Sequence, residues 1–257
     1  MLLQRYGLFA FLVVLSIGFS PTTQAQQIAE ITAQRTVQRM DKQAETYLQE
    51  MGDTLQNASE FTFQAETTVI ASRSRDSQEG SGVLDVMVQR SSGLRADQQG
   101  DRDSRSFWYD GRSITLLDRL QNTYATASAP TNMDDALDYA VEEFGIRTPL
   151  VDLLFSNPYE VLTENIQTGT YRGIEQVGSK KCHHLAFTQA NVDWEIWVAD
   201  DADRLPCKVM IDYKNLPSRP KYTAILTDWN LNPDLSKIDF TFQPPSGAME
   251  IEFLRRR

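Results

Sequence analysis

From Phe61 onward, apolar residues recur at every second position in short segments separated by turn residues, and this pattern constrains the fold more than any other feature of the chain. Phe61, Phe63, Ala65, Thr67 and Val69 alternate with Thr62, Gln64, Glu66 and Thr68, the period of a strand with one buried face. Residues 72–79 read as a polar turn region. Strands follow at 82–90 and 94–98, about Ser91-Ser92-Gly93. Two more, at 105–109 and 113–118, flank Asp110-Gly111, a pair favoured in two-residue hairpin turns. A strand at 123–127 completes the first set. A second set runs 166–174, 181–188, 193–199, 205–213 and 221–230, with a last strand at 239–242 ended by Pro244-Pro245. The connections within each set are short, so the sheet is expected to be antiparallel.

Two stretches have a helical period instead. Residues 27–58 place Val37, Met40, Ala44, Tyr47, Leu48, Met51 and Leu55 on one face, with Gly52 as a weak point and Asn57-Ala58-Ser59 as the end. Residues 132–144 form a second helix, with Thr131 or Asn132 as N-cap and Gly145 as the stop. Short helices are expected at 149–155 and 158–164. A sheet with one apolar face must cover it, and these helices are the segments able to do so. The expected class is α+β, mainly antiparallel β: a curved sheet around a helical filling, with a long N-terminal helix and a helical insert at 132–164.

Residues 1–25 carry Arg5, an apolar core over 8–19, Pro21, and Thr23-Gln24-Ala25 with small residues at minus three and minus one. That is the layout of a cleavable export signal, cut near Ala25. Its apolar core is shorter than the ~20 residues of a membrane span. The remaining 26–257 form one expected domain. Losing Arg5 takes the formal charge from −10 to −11, so nucleic acid is not an expected partner.

Cys182 and Cys207 suggest a disulfide in an oxidising compartment. The meander 181–188, 193–199, 205–213 argues the other way, since its first and third strands lie ~9.6 Å apart and a disulfide needs Cα atoms within ~7 Å. A bulge or twist would restore the bridge. His183 and His184 are the two histidines of the chain and, on a strand, point to opposite faces, so they do not share a metal directly; one buried and one exposed histidine is the expectation. Asp200, Asp201 and Asp203 crowd one turn, but Leu205 and Ile211 stand where a calcium loop needs Gly and Glu. No histidine neighbours a glycine-flanked serine, and the paired carboxylates Asp134/Asp135 and Glu142/Glu143 are adjacent on a water-facing helix. Neither catalysis, metal nor cofactor is expected.

Trp194, Ile196 and Val198 share one strand face, and Phe63, Leu84, Val86, Val88, Ile114 and Leu116 belong to the same inner wall. Arg90 continues the inward set Leu84, Val86, Val88. A charge there either snorkels out at the strand end or needs a partner, such as backbone carbonyls or a carboxylate on the insert.

Three segments resemble the bacterial lipoprotein-carrier superfamily, LolA and LolB. They are Val-Met-Val-Gln-Arg-Ser-Ser-Gly-Leu at 86–94, Asp110-Gly111 followed by Ile114, Leu116 and the strand at 123–127, and Phe-Thr-Phe-Gln-Pro-Pro-Ser-Gly at 240–247. Segments 106–111, 182–187, 192–197 and 227–229 are similar to a group of uncharacterised exported bacterial proteins within it. The chain departs from the carrier pattern in Ser91, which replaces a proline, and in a longer first helix and insert. The resemblance implies a half-open β-barrel in the periplasm, with the insert as a lid over an apolar cavity and Arg90 as its latch. It implies a carrier for a lipid, acylated or other apolar ligand. Phe63, Leu84, Val86, Val88, Arg90, Ile114, Leu116, Leu150, Leu154, Trp194 and Ile196 are the candidate ligand-binding residues. An envelope protein is a further candidate partner, and transient membrane contact is compatible with this role. The alternative is a protein-interaction or sensor module with a filled core, presenting Trp108 and Trp197 as an outward patch.

Overall fold

The computed structural model describes residues 39–254 apart from 74, 75, 102 and 147. The expected export signal, 1–25, and the expected first turns of the long helix, 27–38, lie outside the described residues. A short strand β1 (Arg39–Met40) leads into α1 (Lys42–Asn57). The first strand set is β2 (Glu60–Arg73), β3 (Asp76–Gln89), β4 (Gly93–Gly100), β5 (Arg105–Tyr109), β6 (Ser113–Asp118) and β7 (Thr123–Ser128). The insert holds α2 (Met133–Phe144), a single 3-10 turn (Val151–Leu153) and α3 (Pro158–Thr163). The second set is β8 (Thr168–Val177), β9 (Lys180–Thr188), β10 (Val192–Ala199), β11 (Pro206–Tyr213) and β12 (Lys221–Asn230), followed by β13 (Met249–Glu250).

These strands make one open sheet in the order β1-β8-β9-β10-β11-β12-β2-β3-β4-β5-β6-β7-β13. The two sets join where β12 pairs with β2, Leu226 opposite Ala65. The two outermost pairs, β1 with β8 and β13 with β7, are parallel, against the antiparallel expectation. In both, a two-residue strand pairs with one end of a sheet edge.

The inner wall follows the period-two pattern. Phe61, Phe63, Leu84, Val86, Val88, Ile114, Trp194, Ile196 and Val198 are all buried in one cluster with Ala44, Leu48, Met51 and Leu55 of α1 and Met133, Leu137, Leu150 and Leu154 of the insert. Leu116 is half-buried against the same cluster. A 16-residue helix is marginal alone, so α1 owes its stability to these contacts, at ~1.5–3 kcal/mol for each fully buried large side chain. Among the described residues the helix starts at Lys42, because Met40 and Asp41 are tied to the edge of β8. The Asp41 N–H donates to Gly169 O at 2.8 Å, and its carboxylate accepts from the Tyr171 N–H at 3.1 Å.

Several expectations are corrected. Within the expected turn region 72–79, residues 72–73 and 76–79 are strand: the β2–β3 pair keeps its register out to Arg73 opposite Asp76, because ladder bonds persist beyond the apolar core. The helix expected at 149–155 shrinks to one 3-10 turn, entered through Leu150 at φ +72°. That left-handed value suits few residues other than glycine. Residues 239–242 form no strand. Instead Phe240 packs into the space that Gly93 leaves, and Phe242 packs on Trp108 and Tyr124 at 4.8 and 5.0 Å.

Cys182 and Cys207 are joined in a disulfide, with Cα atoms 6.9 Å apart. Strand β10 does lie between their strands. However, Trp197 faces Lys208 while the next residue, Val198, faces Pro206. Cys207 is the unopposed residue of that bulge, which turns it onto the outer face beside Cys182.

Candidate functional site

The insert meets the inner wall in two narrow apolar clefts. One is lined by Leu94, Ala96 and Phe107 of the sheet and Leu137, Ala140, Val141, Ile146, Thr148, Val151 and Leu154 of the insert. The other lies between Leu150, Asp152, Leu153 and Leu162 of the insert and Trp194, Ile196, Val209 and Ile211 of β10 and β11. The Val151–Leu153 turn and Leu154 separate them. Each holds about 30 Å³, against the ~300 Å³ or more of a typical small-molecule site.

Arg90 sits where the insert crosses the end of α1. Its Nε donates to Ala58 O, its Nη1 to Leu154 O and its Nη2 to Leu55 O, each at 2.9 Å. Leu55 and Ala58 belong to the last turn of α1, whose carbonyls have no partner within the helix and lie at the negative end of its dipole. The planar guanidinium therefore caps one helix and ties it to the insert. It also lies 5.5 Å from the Phe61 ring centroid. Burial lowers the tendency of Arg90 to hold its charge, and the nearby Asp134 carboxylate works against that shift. Asp134 in turn accepts from the Ser156 N–H at 3.0 Å and from its hydroxyl, which fixes the backbone two residues past Leu154.

Of the candidate residues, Leu154 lines the first cleft, and Leu150, Trp194 and Ile196 line the second. Arg90 stands at the junction. Phe63, Leu84, Val86, Val88 and Ile114 are packed into the core without lining either cleft, and Leu116 is at its margin. Sequence reasoning passed over Val209, Ile211, Leu137 and Phe107. For Val209 and Ile211 the signal was present, since they alternate along β11 as Trp194 and Ile196 do along β10.

The histidines are structural. Both are buried, rather than one buried and one exposed. His183, inward, stacks on Tyr47 of α1 at 3.7 Å and bonds Tyr171 and Asp200 at 3.0 Å each. Arg204 completes this tie, bonding Asp200 at 3.2 Å and Glu50 of α1 at 2.9 Å. His184, outward, stacks on Trp197 at 4.1 Å and lies between Glu175 at 3.0 Å and Glu195 at 2.6 Å. The Glu175 carboxyl is held below its usual range by hydrogen bonds from Trp197 and His184. No outward aromatic patch forms from Trp108 and Trp197, which are 8% and 3% exposed. Phe242 covers the first, and the disulfide and Lys208 cover the second. Among the described residues no cluster of His, Cys, Asp and Glu has metal-binding spacing, and no helix is long and apolar enough to cross a membrane.

No curated protein matches the sequence. Among solved structures, the chain is similar to an uncharacterised conserved protein from Thermus thermophilus (7% identity, TM-score 0.48), covering 82% of this chain and 99% of that one. It is similar to the lipoprotein LppX of Mycobacterium tuberculosis at 11% identity and a TM-score of 0.47, covering 76% and 98%. It is also similar to a LolA superfamily protein from Nitrosomonas europaea at 10% identity and a TM-score of 0.38, covering 76% and 96%. Residues 44–254 match the family described as "Predicted periplasmic protein (DUF2092)". That match takes in the latched helix, both strand sets and the insert, and the chain belongs to this family.

Proposed function

We propose that this is a periplasmic binding or carrier protein that holds the apolar part of a lipid or acylated ligand between the half-barrel wall and the insert. The observation that carries the reading is Arg90. A charged side chain is placed at an apolar interface to hold three backbone carbonyls on two separate elements. Fixed packing could be achieved there with apolar residues alone, whereas a polar latch can be released and re-solvated. The described state is closed, and two clefts of about 30 Å³ admit no acyl chain. Occupancy requires the Val151–Leu153 turn to lift, which merges the clefts. Three hydrogen bonds from a charged donor stabilise the closed state by ~1.5–3 kcal/mol each. Burying about twelve methylenes contributes ~10 kcal/mol. The two quantities are of the same order, as reversible capture requires. The role involves no catalytic step.

The filled interior favours a second reading, a protein-interaction or sensor module without a ligand. The experiment that separates them is mass spectrometry of protein purified gently from the cell envelope, first native, then after solvent extraction. The carrier reading expects a stoichiometric lipid or acylated peptide. A clean mass, with no uptake when lipids are offered, would sink it in favour of the interaction module.

A further inference from the structure

One corner of the inner wall, beside the second cleft, carries two buried side chains whose polar atoms have no partner among the described residues. Trp194 lines that cleft and is 3% exposed, and its indole Nε1 has no hydrogen-bond partner among the described residues. Gln189 is 1% exposed, and both its amide atoms, Oε1 and Nε2, are likewise unpartnered. The two side chains share a face. Gln189 continues the inward alternation of Leu185 and Phe187, and Phe187 lies opposite Trp194 in the β9–β10 ladder and stacks on it at 4.2 Å. The Gln189 N–H closes the hairpin on Val192 O. Gln189 therefore stands one pleat, roughly 7 Å, along the wall from the Phe187–Trp194 pair. Lys214 covers the end of this corner, donating to Gln189 O at 2.6 Å and to the Asp193 carboxylate at 2.8 Å.

Buried polar groups without partners are rare and costly, and such groups in a folded protein call for an explanation. Apolar residues would pack this corner at no such cost. The inventory of donors and acceptors is specific. Trp194 has one N–H, the Gln189 amide nitrogen donates, and the Gln189 amide oxygen accepts. A trans secondary amide lying between the two side chains is the complement: its carbonyl oxygen accepts from Trp194 Nε1, and its N–H, on the opposite side, donates to Gln189 Oε1. An ester has the carbonyl but no N–H, and leaves Gln189 Oε1 unpaired.

We propose that Gln189 and Trp194 form the polar end of the ligand site and select an amide-linked acyl chain over an ester-linked one. This rests on the carrier reading above and adds the class of linkage. The test measures equilibrium dialysis of two labelled probes of equal length, N-dodecylacetamide and dodecyl acetate, against the full protein and against Arg90→Leu. The amide is expected to bind about tenfold tighter than the ester, the scale of one unpaired buried acceptor. Trp194→Phe, which keeps the ring, and Gln189→Leu are each expected to bring the ratio towards one. Equal binding of the two probes overturns the amide proposal and leaves the carrier reading standing. So does an amide preference that survives both substitutions. If neither probe binds, even to Arg90→Leu, the proposal and the carrier reading fall together. Should a substitution prevent folding, the ratio in the unaltered protein decides.

Discussion

At the scale of single residues, charge in buried and half-buried places carries most of the information. Replacing Arg90 with Leu leaves three carbonyls with no donor and frees the insert from α1. We expect a loss of ~4–9 kcal/mol in urea-melt stability, at ~1.5–3 kcal/mol for each lost bond, with faster amide exchange at 150–157. Arg90→Lys should recover only part of this, since a lysine cannot reproduce the planar fork. Unchanged exchange in Arg90→Leu would mean that the guanidinium latches nothing. Asp97 is a second such residue. Burial pushes its carboxyl up, but hydrogen bonds from Ser106 and Arg119 and the charge of Arg95 outweigh that and hold it below the usual value. Its Oδ1 accepts from Arg119 and its Oδ2 from Arg95, both at 2.7 Å. A folded-state pKa below the unfolded ~3.9 means the protein gains stability above that pH. The gain is lost as the pH falls towards the folded value. Urea melts of Asp97→Asn should therefore show a shallower acid-side loss of stability below about pH 4 than the unaltered protein.

At the scale of elements, the insert is held from two sides. Arg90 ties its middle to the end of α1, and α3 lies directly on α1 at Gly52. A Cβ placed on Gly52 would stand 2.7 Å from Tyr159 Cβ and 3.2 Å from its backbone nitrogen. The sequence marks Gly52 as a weak point of the helix, but its role is close approach. Ala at this position should raise helix propensity by ~1 kcal/mol, yet the displaced α3 should cost ~1–3 kcal/mol. The expected outcome is net destabilisation in thermal melts, together with looser protection of the amides in α3. A stabilised Gly52→Ala variant would show that α3 is free to move away without cost. The disulfide and the bulge that permits it belong to the same scale. A meander drawn flat keeps Cys182 and Cys207 too far apart, and one extra residue in β11 brings them together.

At the scale of the whole molecule, the two strand sets share one sheet through the β12–β2 pair, and one apolar cluster runs from α1 through the insert to both walls. We infer that 26–257 folds as a single unit. Urea unfolding followed by tryptophan fluorescence and by far-ultraviolet circular dichroism should give coincident, single transitions. Two separated transitions would divide the chain at the insert instead.

Local chemistry determined much of this protein from the sequence alone. Strands β5, β6 and β12 fall where alternation and turn residues put them, and α2 begins after Asn132, whose side chain accepts from the Asp135 N–H at 3.1 Å. The inward run Leu84, Val86, Val88, Arg90 marked a charge in need of partners, because period-two geometry is a property of neighbouring residues. What those partners are depended on contacts across long stretches of chain: Arg90 with Leu154, Gly52 with Tyr159, Cys182 with Cys207. Burial of Trp108 and Trp197 is of the same kind, since a strand's pattern shows which face a side chain takes but not what later covers that face. Clefts arise where two packed surfaces fail to meet, and only the assembled half-barrel and insert decide that.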